Sequence, residues 1–106
     1  MDLDRIELHD AVILQTNLSY PEKTVVIDLE FYPEGENSES RSKAKLSFTG
    51  VSQYSDISNF DKLKQHAIAG NVSYWVPANG HGITYIYLAR GLISITAKEV
   101  KMETVA

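Results

Sequence analysis

The chain has no cysteine among its 106 residues, which removes disulfide staples, thiolate metal sites, iron–sulfur clusters and cysteine nucleophiles together. It also lacks any apolar run approaching the ~20 residues of a membrane-spanning helix. Its start, Met1-Asp2-Leu3-Asp4-Arg5-Ile6-Glu7, alternates acid with apolar residues where a secretory signal carries a basic segment and then an apolar one. These absences predict a cytoplasmic, water-soluble protein with no membrane partner. Bases are scarce relative to acids, 10 against 14, for a net charge of -4. That sign repels phosphate backbones, so nucleic acid is not an expected partner. Its simplest use is solubility.

Without staples, the fold must stand on its core. A chain of this length buries roughly two thirds of its unfolded surface, and 43% hydrophobic residues supply the material. Residues 1–106 read as a single domain. Val25, Ile27, Leu29 and Phe31 recur at period two with Asp28 and Glu30 between them, the pattern of a half-buried strand. Ala11 to Leu18 precedes it, with Val12, Leu14 and Leu18 on one face and Gln15 and Asn17 on the other. The Ser19-Tyr20-Pro21-Glu22-Lys23 connection makes the two a hairpin. After a polar run from Pro33 to Ser42, a third strand places Ala44, Leu46 and Phe48 on one face and can run on toward Tyr54, with a bulge or bend at Gly50.

The period changes between Ser55 and Gly70. Ile57, Phe60, Leu63, Ala67 and Ile68 fall at helical spacing, Ser58 or Asp56 can cap the start, and Gly70 suits the stop. Strand chemistry returns at Asn71–Val76, Ile83–Ala89 and Leu92–Ala97, the last two joined by an Arg90-Gly91 turn. Both faces of Ile83 to Ala89 are apolar or aromatic, as in a central strand covered by the helix on one side and by a ligand, second sheet or subunit on the other. The tail from Lys98 can extend the last strand. The expected fold is therefore α+β, an antiparallel sheet of about six strands with one helix packed on it.

Chemistry has few places to reside. His9, His66 and His81 stand in no metal-ligand spacing. His9 precedes Asp10, a pairing that can orient an imidazole, although a turn cap and a backbone hydrogen bond account for both. His66 suits the end of the helix. Gly80-His81-Gly82 is too short for a phosphate loop and lacks its Lys-Ser/Thr, and no Gly-x-Ser-x-Gly elbow is present. The chain is expected to be no enzyme and to use no metal or cofactor.

Binding groups are easier to find. Tyr74, Trp75, Tyr85 and Tyr87 carry the large contact area with a polar tip that interfaces favour, and strand cores use the same residues. Alternation sends Tyr74 and Trp75 to opposite faces and Tyr85 and Tyr87 to the same one. Glu34, Glu36 and Glu39 crowd one polar loop that can meet a basic surface. His81 sits between two aromatic strands, in a connection of the kind that carries binding groups.

Leu8-His9-Asp10-Ala11 leading into a hairpin, Gly70-Asn71-Val72-Ser73-Tyr74-Trp75, and Thr84 through Gly91 together resemble small bacterial β-rich domains, some of them similar to immunity proteins of polymorphic toxin systems. That resemblance implies a cytoplasmic protein that neutralises a cognate toxin by covering its active site, without catalysis. It carries no site residues of its own. The sequence thus points to a non-enzymatic protein-binding module of immunity type, engaging a basic partner through Glu34, Glu36, Glu39, Tyr74, Trp75, His81 and Tyr85. Two alternatives stay open: a small-molecule or carbohydrate-binding β domain whose pocket gathers His81, Trp75 and the tyrosines, and a structural homo-oligomer paired through a free strand edge.

Overall fold

The computed structural model describes residues 3–35 and 40–105. After a 3-10 turn at Leu3–Arg5 come β1 (Val12–Ser19), β2 (Thr24–Phe31), β3 (Ser42–Thr49), β4 (Gln53–Ile57), α1 (Phe60–Gln65), β5 (Val72–Val76), β6 (Gly82–Leu88), β7 (Gly91–Ala97) and β8 (Glu99–Thr104). Every pairing is antiparallel, and the strands form two sheets of four, ordered β1-β2-β3-β8 and β4-β7-β6-β5. The fold is β-rich with one short helix, as the patterning predicts, but it has eight strands rather than six.

The two additional strands arise where the chain changes sheet. The period-two pattern runs through Gly50 without a break, yet the backbone turns there at φ +63 and leaves the first sheet for the second. A Cβ on Gly50 would lie 2.7 Å from the Lys98 side chain, so the residue with no Cβ is the one that fits. At Lys98 the chain crosses back, its N–H donating to the Thr49 carbonyl at 3.0 Å. Residues 51–54 therefore start a strand of their own instead of prolonging β3. The tail from Glu99 joins β3 as β8 instead of extending β7.

The sheets pack face to face. Val25, Ile27, Leu29 and Phe31 of β2, Ala44, Leu46 and Phe48 of β3, and Val100 and Met102 of β8 form one side of the core. Val72, Trp75, Ile86, Leu88, Ile93, Ile95 and Ala97 form the other. What covers the second side of Ile83 to Ala89 on its inner face is thus a second sheet. Cross-strand contact of this kind stabilises at about 25 cal/mol per Å² of apolar surface removed from water.

The helix differs most from expectation. Ile57 belongs to β4 and is 67% exposed, while Phe60 and Ile68 are more exposed still. Asn59, rather than Ser58 or Asp56, caps the start, its Oδ1 accepting from the Lys62 N–H at 3.1 Å. Six residues are too few for a free-standing helix, and this one is held by Leu63, half-buried against the core. It caps a flank of the sandwich and covers no sheet face. No helix among the described residues is long and apolar enough to cross a membrane.

Candidate functional site

Strand alternation gives each sheet an outer face, and the two outer faces differ in chemistry. On the first sheet one row across the strands reads Gln15, Asp28, Lys45 and Glu103, and the next reads Asn17, Val26, Ser47 and Lys101. Asp28 accepts from Lys45 Nζ at 2.8 Å and from Gln15 Nε2 at 2.6 Å. Those two hydrogen bonds, Lys45 foremost, hold its carboxyl below the ordinary aspartate range. This is a charged face that water covers readily.

The second sheet's outer face has no charge at all. Its rows read Tyr74, Tyr87, Leu92 and Ile57, then Val76, Tyr85, Ser94 and Ser55, then Ile83, Thr96 and Gln53. Tyr74 stacks on Tyr87 with ring centroids 4.4 Å apart, and Tyr85 lies 6.3 Å from Tyr87. Burial, followed by the neighbouring Tyr74, raises the Tyr87 phenol above its ordinary range, so that hydroxyl keeps its proton. Tyr74, Val76, Ile83 and Ile57 are each about half exposed or more. Exposed apolar and aromatic residues thus gather on one face without charge, unlike the mixed polar surface of an ordinary solvated strand.

The residues predicted to bind therefore separate. Tyr74 and Tyr85 share the uncharged face. Trp75 lies on the other side of the same sheet at 8% exposure, its indole N–H donating to the Ile6 carbonyl at 2.8 Å, so it anchors the N-terminal segment over β5. His81 is exposed in the 77–81 connection, which is tied down where the Thr84 hydroxyl accepts from the Ala78 N–H at 3.0 Å. Glu34 is exposed in the turn after β2, and Glu36 and Glu39 lie outside the described residues. Among the described residues Trp75 and the tyrosines do not line one pocket, because they point to opposite sides of one sheet. His9 Nδ1 donates to the Ser73 carbonyl at 2.7 Å, with Asp10 3.5 Å from its other ring nitrogen. Since a carbonyl only accepts, Nδ1 carries the proton in this contact.

Other residues matter that sequence reasoning does not single out. Arg41 donates to the carbonyls of Asp10 and Ile68, at 3.2 and 2.6 Å, and stands 4.9 Å over the Tyr32 ring. It ties the start of β3 to two other segments. Leu14 falls in a β-bulge, where the β1–β2 register shifts between Ile13 and Gln15. Beyond the bulge Thr16 and Leu18 share the inward face with Ile13, and Leu14 turns away at 52% exposure. The inward residues of β1 look across to β4, where Tyr54 donates to Asp56 at 2.8 Å. Between these two edge strands the sandwich opens into a cleft of ≈ 730 Å³.

Among the described residues no group of three or more His, Asp and Glu is placed to hold a metal ion. Comparison of the chain with known protein families, with characterised proteins and with solved structures finds no match in any of the three.

Proposed function

We propose that the chain is a non-enzymatic protein-binding module that docks a basic partner protein on the outer face of β4, β7, β6 and β5. The observation that carries this reading is the absence of charge across three successive rows of that face, next to an opposite face built from Asp28, Lys45, Lys101 and Glu103. Interface centres are depleted of charge and enriched in tyrosine. Tyr74 and Tyr85 supply flat rings that lose little freedom on contact, and the stacking of Tyr74 on Tyr87 orients them beforehand. A net charge of -4, with Glu34 exposed at the edge of the molecule, favours a basic partner and speeds its approach. The immunity-type form of this reading makes that partner a toxin, neutralised by being covered.

The test is capture from native lysate at low salt, with the intact chain compared against Tyr74→Ser/Ile57→Ser and against Glu34→Ala. The expected result is one stoichiometric basic protein, lost with the double substitution and released at lower salt from Glu34→Ala. Sedimentation of the purified chain supplies the opposing outcome: a dimer that the same double substitution converts to monomer would assign the face to a second copy and overturn the reading.

A further inference from the structure

β1 and β4 are edge strands on the same flank, and the inward residues of β1 are only half covered there: Leu18 is 41% exposed and Thr16 is intermediate. The resulting cleft of ≈ 730 Å³ lies within the range of small-molecule sites, about 300 to 1,000 Å³. Leu88 and Ile93 form a buried apolar floor, and Val12, Ile13 and Leu63 the walls. Among the polar groups of the lining, one set on the β4 side of the rim is joined by hydrogen bonds. Tyr54 donates to Asp56 Oδ2 at 2.8 Å, and the Ser58 hydroxyl donates to the other carboxylate oxygen. A carboxylate offers about four lone-pair sites, so with two used Asp56 is both oriented and able to accept from a ligand. Burial, and then the adjoining Asp56, raise the Tyr54 phenol well above its ordinary range, so its donor proton stays in place. Among the charged residues of the lining, Asp56 and Glu30 outnumber Lys64. An anionic head would meet that excess negative charge, and a neutral one would leave it unused.

We propose that this cleft binds a small amphiphilic amine, its hydrocarbon body against Leu88, Ile93 and Val12 and its ammonium on the Asp56 carboxylate that Tyr54 and Ser58 hold. The apolar body supplies the burial term, and a charge-assisted hydrogen bond to an oriented carboxylate supplies the choice of head group. The site is independent of the docking face, because its residues belong to the inner side and flank of the sandwich.

The experiment is calorimetric titration of the full chain at neutral pH with n-octylammonium, n-octanol and n-octanoate, with amide chemical shifts followed in parallel. Octylammonium is expected to saturate one site about tenfold more tightly than octanol, shifting Val12, Ile13 and Ile93, with octanoate the weakest. Asp56→Asn removes the amine's advantage over octanol, and Lys64→Ala leaves amine binding unchanged or stronger. No saturable binding, octanol equal to the amine, octanoate preferred, or shifts confined to Tyr74 and Tyr85 would each overturn the proposal. The comparison of three ligands on the unaltered chain decides the matter even if Asp56→Asn does not fold.

Discussion

Asn71 and Thr84 are the polar side chains buried with the core among the described residues, and Asn71 joins four segments. Its Oδ1 accepts from the Ile13 N–H at 2.9 Å, its Nδ2 donates to the Leu63 carbonyl at 3.3 Å, its N–H donates to Ala11 and its carbonyl accepts from Ala89. No pattern in the sequence marks it, because the partners on β1 and just before it lie 58 and 60 positions away and an asparagine after a glycine reads as a turn residue. Asn71→Ala leaves the Ile13 donor and Leu63 acceptor unmatched, and should cost about 1–3 kcal/mol in urea unfolding. Asp28 makes a prediction of opposite locality, since its partners are legible as cross-strand neighbours once the register is known. Its folded carboxyl titrates below the ordinary value, which is about 3.9. In the interval between the two, the unfolded chain holds more protons, so the contribution is complete above the ordinary value and lost as pH falls through the folded one. The difference in urea midpoint between the intact chain and Asp28→Asn should therefore hold at pH above the ordinary carboxylate value and narrow progressively as pH falls below it. At neutral pH that difference is small, because Lys45 is 48% exposed and water screens the pair.

At the scale of elements, the strands with strict alternation were readable from residue order alone. β2, β3, β6 and β7 each bury every second residue, and β6 and β7 form the expected hairpin, although its turn residues are Ala89 and Arg90, and Gly91, expected in the turn, begins β7 opposite Leu88. The errors lie where alternation persists while the chain changes partner, at Gly50 and Lys98, and where a bulge shifts phase, at Leu14. The helix was overextended for a related reason: Ile57, Phe60 and Ile68 occur at helical spacing, yet all three are left largely in solvent. Their spacing carries no information about burial when no facing surface exists. Gly91 tests how closely the elements fit. A Cβ there would come 2.2 Å from the Ile57 carbonyl oxygen, a backbone atom that moves only if β4 moves. Gly91→Ala should destabilise the chain by about 1–3 kcal/mol. Hydrogen exchange should accelerate first in β4, and β2 and β3 amides should keep their protection.

For the whole molecule, the candidate surfaces were legible in part. Sequence alternation correctly pairs Tyr85 with Tyr87 on one face and separates Tyr74 from Trp75, but a charge-free face is a property of four strands in register, and the register is not written in any one of them. The cleft is further from reach, since it depends on how two edge strands 34 or more positions apart come to flank one gap. The asymmetry of the two outer faces has a measurable consequence without any partner. On a hydrophobic-interaction column at high salt, the intact chain should be retained longer than Tyr74→Ser/Ile57→Ser, while the double variant keeps its unfolding free energy to within about 0.5 kcal/mol, as surface changes usually do. In colloidal language the sandwich is a Janus plate: one broad side is wetted by ions and the other by almost nothing but hydroxyls and hydrocarbon. Such a plate has a preferred attitude at any boundary between water and something less polar, so the molecule meets a surface already oriented, with its tyrosines leading.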